Sequence, residues 1–139
     1  MLEVEGEGPA GDLPGGGAAL IALMSFAVVR GFGAQHPLIA LADCLHDTHR
    51  VRLGPLTTFY DAQVEDAEDV EKLELAWQDA ADLQESLEGL VTVLETDDTA
   101  RALARRADAE DLAEQSRALL EQVKPVAEAG KRVRLVYAL

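Results

Sequence analysis

EKLELAWQDAADLQESLEGLVTVLE, residues 71–95, is the stretch from which the fold is read. Leu73, Ala80, Leu87 and Leu94 recur every seven residues, and Ala76, Leu83 and Leu90 recur beside them, with Val70, Trp77 and Val91 widening the stripe. Such spacing keeps apolar side chains on one face of an α-helix and describes a coiled-coil-like seam. Upstream, Thr58 with Asp61 has the form of a capping box with Asp in the place of the usual Glu. One helix is therefore expected from Thr58 to about Glu95, a rod of roughly 55 Å at about 1.5 Å per residue.

Working outward, Asp97-Asp98 reads as a polar turn with helix-capping oxygens, from which a further helix should start near Thr99. Its stripe is Leu112, Leu119 and Val126, flanked by Ala113, Leu120 and Ala127, and Pro125 and Gly130 mark its end. The two helices would form an antiparallel αα-hairpin. Ala18 to Arg30 reads as an apolar helix closed by Gly31 and Gly33, and another begins at Pro37 and stops before Gly54-Pro55. Residues 1–17 hold six glycines and two prolines and read as a Gly-rich leader. Within it Leu2 and Val4 alternate with Glu3 and Glu5, while Val133, Leu135 and Tyr137 alternate with Arg132 and Arg134, the period of half-buried strands. The expected fold class is all-α. It is a bundle of about four helices built on the long hairpin, in a single helical domain over residues 18–139, with a two-stranded ribbon joining the termini.

Twelve basic and twenty-six acidic residues among 139 give a net charge of −14. Fourteen acids against one lysine in residues 61–98 account for nearly all of it. A surface of this sign repels a polyanion, so direct nucleic-acid binding is not expected; a basic protein partner or a divalent cation suits it. The length of the seam points to a homodimer. Ala18 to Val29, twelve residues, falls short of the about 20 needed to span a bilayer, and residues 1–12 lack the basic start of a signal peptide. With a single cysteine, Cys44, read as a small core residue, a cytoplasmic location is expected.

Chemistry-bearing residues gather at Asp43, His46, Asp47 and His49, which lie about one turn apart on the second helix. Asp43, His46 and His49, joined by carboxylates from Glu65 or Asp69, have the residue types of a bundle-type metal site, with a divalent cation as the one cofactor foreseen. Leu45-His46-Asp47-Thr48, followed by Leu53, resembles the phosphoacceptor helix of the LHDxx class of sensor histidine kinases over residues 45–53. That resemblance implies His46 as the phosphorylated nucleophile and Asp47 as the base beside it, in a stand-alone phosphotransfer domain. The same His46-Asp47 pair, with His36 and Asp61, is the nearest approach to an HD-type metal-dependent hydrolase. Acid pairs such as Glu65 with Glu68 and Glu85 with Glu88 resemble the ExxE elements of MazG-type pyrophosphatases. No complete catalytic signature is present, and the leading expectation is a non-enzymatic, acidic helical interaction and oligomerisation protein. Activity centred on His46 is the alternative.

Overall fold

The computed structural model describes residues 1–31, 33, 35–61 and 64–137. In chain order the elements are β1 (Leu2–Val4), β2 (Gly8–Pro9), α1 (Ala18–Val28), α2 (Pro37–Asp43), α3 (Gly54–Thr57), β3 (Phe59–Asp61), α4 (Ala67–Leu75), β4 (Gln78–Asp79), α5 (Ala80–Thr96), α6 (Asp98–Arg106), α7 (Leu112–Glu128) and β5 (Arg132–Tyr137). The chain is mostly helical, and the strands form one small sheet in the order β2-β1-β5-β3, with β4 also paired to β5.

The terminal strands pair antiparallel in the register that alternation implies, Leu2 opposite Leu135, Glu3 opposite Arg134 and Val4 opposite Val133. Leu2, Val133 and Leu135 are fully buried, so the inward face of this ribbon is core. On the outward face Glu3 meets Arg134 at 3.2 Å, Glu5 pairs with Arg132 and Glu7 meets Lys131 at 2.7 Å. The leader is thus tied to the sheet, and Leu13 at its end is buried as well.

The ribbon is only part of the sheet, because two further strands come from the region expected to be one rod. Phe59–Asp61 runs parallel to Leu135–Tyr137, and Gln78–Asp79 pairs antiparallel with Arg132–Val133, so β3 and β4 share the second edge of β5. The expected helix from Thr58 to Glu95 is therefore divided. Its start at Thr58 is replaced by β3, where Phe59 packs edge-on against Tyr137, and the side chain of Asp61 lies outside the described part. Its middle breaks at Trp77, where β4 finds backbone partners on β5, Gln78 Nε2 donates to the Pro55 carbonyl at 2.9 Å, and the Ala80 amide donates to the Lys131 carbonyl. Backbone groups with open partners across a sheet edge outweigh a continued apolar period.

The downstream helix is divided too. Asp97 caps α6, which ends at Arg106; Asp108 takes a positive φ of 55°, and α7 then continues past Pro125 to Glu128. Gly130, with φ of 69°, carries the chain out of α7 into β5. The ends of α5 locate it against α7: Ala80 lies beside Lys131, and Glu95 reaches Arg117 at 3.4 Å.

Ala80, Leu83, Leu87, Leu90 and Leu94 of α5 form one core with Leu112, Leu119 and Val123 of α7, Leu20, Leu23 and Met24 of α1, and Leu38, Leu41 and Leu45. The part of the heptad seam on α5 is therefore buried inside the chain, whereas Leu73 and Trp77 are half-buried and Val70 is exposed. Among the few buried polar groups, Gln115 Oε1 accepts from the Leu20 amide at 3.0 Å, satisfying a donor in the first turn of α1 that has no capping side chain.

Two substitutions separate these environments. Leu87→Ala, at a fully buried site, should lower unfolding free energy by about 2–5 kcal/mol. Leu75→Ala, at a residue 75% exposed, should change it by less than about 0.5 kcal/mol. Urea denaturation of the two variants is the check.

Candidate functional site

The second helix does not end as an ordinary α-helix. Beyond Asp43 it widens into a π-turn over Cys44–Thr48, in which the His49 amide donates to the Cys44 carbonyl at 3.2 Å, five residues back. Single π-turns of this kind are rare and frequent at functional sites. Arg50 follows with φ of 57°, a left-handed conformation that costs a residue with a Cβ about 1–2 kcal/mol. What holds it lies on α5. Val51 is buried against Gly89, where a Cβ would stand 3.0 Å from the valine methyl, and Ser86 Oγ donates to the Arg52 carbonyl at 2.7 Å. A Cβ at position 89 would require the Val51 side chain to give by a few tenths of an ångström.

The turn carries two groups of polar contacts. In the first, Asp97 uses its two oxygens separately. Oδ1 accepts from the Thr99 and Ala100 amides at 2.8 and 3.2 Å as the cap of α6, whereas Oδ2 faces His49 Nε2 at 2.6 Å and Cys44 Sγ at 3.8 Å. The His49 hydrogen bond, followed by the capping amides, holds the Asp97 carboxyl below the usual aspartate range. Burial foremost, then the negative charge of Asp97, pushes the Cys44 thiol up. Cys44 is therefore a thiol rather than a free thiolate nucleophile at neutral pH.

In the second group, His46 Nδ1 lies 2.8 Å from Asp47 Oδ1, and Arg30 Nη1 lies 3.2 Å from Asp43 and 3.8 Å from Asp47. The hydrogen bond to His46, aided by the charges of His46, Arg30 and Arg50, keeps Asp47 below its ordinary value. Beside them is an open cleft of about 540 Å³ lined by Arg30, His46, Arg52, Gly54 and Thr57 with the apolar Ala27, Val28 and Leu53. Arg52 is only loosely matched by acids, at 3.6 Å from Asp82 and 3.8 Å from Glu85. The strongly acidic chain thus has a cleft with two guanidinium groups.

The chain matches no known family, no curated protein and no solved structure.

The geometry of the site redistributes the residues expected from sequence. Asp43, His46, His49, Glu65 and Asp69 do not assemble into one metal centre. Asp43 is held by Arg30 and His46 by Asp47, while Asp69, on the exposed α4, accepts from the Glu65 backbone amide. Among the described residues, the cluster with ligand atoms all within 4.8 Å is Cys44, His49 and Asp97. Only His49 is common to both sets. The divergence follows from β3, which interrupts the expected rod before Glu65 and Asp69, and from the π-turn, which sends His49 toward Asp97 rather than toward His46. His36 is not part of an HD-type set either, since its Nδ1 accepts from the Leu38 amide as the cap of α2 and its ring stacks on Phe26. Cys44, expected to be an inert core residue, is half-buried and faces two polar side chains.

The depressed Asp97 pKa fixes the direction of a pH effect. A carboxyl whose folded pKa lies below its unfolded value contributes stability that is complete above the unfolded value and vanishes as the pH falls through the folded one. Asp97→Asn keeps a capping oxygen and removes the charge. The variant should be less stable than the wild type at neutral pH, and the gap should close in the acid range below ordinary aspartate titration. Thermal melts across that range test it; a gap independent of pH would contradict the assignment.

Proposed function

We propose that this chain is a non-enzymatic, acidic interaction protein of a reducing, cytoplasmic compartment that docks a basic, amphipathic protein segment on α4. The observation that carries the reading is that α4 buries none of its residues, although Val70 and Leu75 on it and Val64 just before it are 49%, 75% and 47% exposed. The helix is nevertheless fixed in place. Arg134 Nη1 donates to the Leu73 carbonyl at 2.9 Å, and its guanidinium lies 4.3 Å over the Trp77 ring. Val70 and Leu75, five positions apart, point about 140° from each other around the helix, so a partner would cover α4 on two sides rather than on one face.

Charge identifies the partner. Glu65, Asp66, Glu68, Asp69, Glu71 and Glu74 are interspersed in sequence with those apolar residues, with Lys72 as the one cation of residues 64–75, itself 3.6 Å from Glu68. A second copy of the chain would bring like charge against like charge. With the α5 part of the heptad seam also taken up internally, the reading favours hetero-association over the expected homodimer. Covering a valine and a leucine contributes about 1.5–3 kcal/mol each, against at most about 1 kcal/mol for an exposed ion pair. The apolar contacts supply affinity, and the acids supply selectivity and association rate.

An amphipathic peptide of alternating lysine and leucine clusters is a suitable probe, followed by fluorescence anisotropy at low and moderate salt. Wild-type protein should bind it, more weakly as salt rises. Val70→Asp with Leu75→Asp should weaken binding at least tenfold while leaving the melting temperature unchanged. Equal binding by the double variant, or equal binding of a peptide with the same composition and no amphipathic order, would refute the reading.

A second reading, phosphotransfer at His46, is favoured by one observation. His46 is exposed, with its Nδ1 engaged by Asp47, so that the tautomer donating from Nδ1 leaves the Nε2 lone pair free beside the arginine-lined cleft. Incubation with phosphoramidate should label the wild type, the P–N bond of the donor being exchanged for a bond to His46 Nε2 with loss of ammonia. His46→Gln should not be labelled. An unlabelled wild type or a labelled variant excludes this reading.

A further inference from the structure

We infer that Cys44, His49 and Asp97 form a site for a divalent metal ion of the zinc class. The three side chains come from two places in the chain, the π-turn and the cap of α6, and their ligand atoms all lie within 4.8 Å of one another. One sulfur, one imidazole nitrogen and one carboxylate oxygen are the donor types that zinc accepts together, and thiolate and imidazole disfavour magnesium and calcium, which take oxygen ligands.

The two distances to Asp97 bracket those of that ion. Tetrahedral zinc with bonds of about 2.0–2.1 Å to nitrogen and oxygen and about 2.3 Å to sulfur separates its nitrogen and oxygen ligands by about 3.3 Å, and its sulfur and oxygen ligands by about 3.6 Å. Cys44 Sγ and Asp97 Oδ2 are 3.8 Å apart, already close to that spacing. His49 Nε2 and Asp97 Oδ2, at 2.6 Å, share a hydrogen bond. Exchanging that bond for two metal bonds requires them to part by about 0.7 Å, a small swing for an imidazole whose side chain is 30% exposed.

The surroundings hold the donors as a metal site requires. The Thr99 and Ala100 amides bind Asp97 Oδ1 and leave Oδ2 as the single carboxylate donor, the kind of outer hydrogen bonding that orients metal ligands. The π-turn hydrogen bond from the His49 amide to the Cys44 carbonyl spans five residues and brings these two to the same side. Gly89 and Ser86 fix the segment that follows His49. Three protein ligands leave a fourth position for water or an external donor, the pattern of zinc sites that are not sealed.

The inference is independent of docking on α4 and of phosphate at His46, and its test shares no variant with the α4 experiment. Metal-stripped protein is dialysed against zinc, and a parallel sample is titrated with cobalt(II) to read the ligand-to-metal charge transfer of a thiolate. The expected result is one ion per chain, a thiolate–cobalt band, and a melting temperature that rises with free zinc by mass action. Cys44→Ser and His49→Gln should each weaken zinc binding by more than about 100-fold, beyond the 10–100-fold typical of outer-sphere changes. His46→Gln should bind as the wild type does. Substoichiometric binding, a cobalt complex without the thiolate band, unchanged affinity in His49→Gln, or loss of binding in His46→Gln would overturn the assignment. Should Cys44→Ser fail to fold, the two histidine variants decide.

Discussion

The strand Arg132–Tyr137 is the constraint on which the remaining architecture depends. A buried strand must pair its backbone amides and carbonyls on both edges, and β5 does so with β1 on one side and with β3 and β4 on the other. Its inward residues Val133 and Leu135 are fully buried in the same core as the helices. Each partner comes from a different part of the chain, so the helices between them must return to one sheet. The loops bearing the polar clusters project from those helices.

Arg134 concentrates several of these demands in one side chain. It meets Glu3 of β1, donates to the carbonyl of Leu73 and lies over Trp77. A cation–π contact of this kind contributes about 0.5–2 kcal/mol depending on its exposure. Arg134 is well shielded, with a side chain only 16% exposed. Lys131 and the arginines of β5 therefore pair with Glu7, Glu5 and Glu3, while among the described residues Glu68 is the acid of α4 with an ion-pair partner. The imbalance between these two acidic segments, more than the net charge of −14, distinguishes a structural surface from one suited to a partner.

The pairing of the termini was legible because period-two alternation and opposite charge agree at Leu2 to Glu5 and Arg132 to Leu135. The helical majority was legible for a similar reason, since the stripe through Ala80, Leu83, Leu87 and Leu90 is buried as its period requires. The same period misled at Leu73 and Ala76. Both keep the heptad, and Ala76 is fully buried, yet the helix breaks directly afterwards because Gln78 and Asp79 meet an unpaired edge of β5. No local pattern encodes that distant edge. At the site, the exposed His46-Asp47 pair could be read from adjacency. Cys44 and His49 are five residues apart, a spacing that an α-helix does not align, and Asp97 reads as a helix cap whichever way its second oxygen points. Docking of Val51 on Gly89 and of Arg52 on Ser86 joins these facts, through contacts that span 38 and 34 positions of sequence.

The position of β5 along the chain also shapes how the protein is made. Every strand that pairs with it is synthesised earlier, so β3, β4 and the edge of β1 away from β2 leave the ribosome with no partner. Helices α1 and α2 can collapse locally while synthesis continues. The sheet has to wait for the residues that follow α7, and the Leu2 to Leu135 pairing then closes nearly the whole length of the chain. Contacts of such high sequence separation slow folding and leave strand edges open in the interval. Glu3 on the waiting first strand, with Glu5 and Glu7 in the turn after it, is therefore useful twice, first as charge that discourages pairing between nascent copies and later, with its neighbours, as counterpart of Arg134, Arg132 and Lys131.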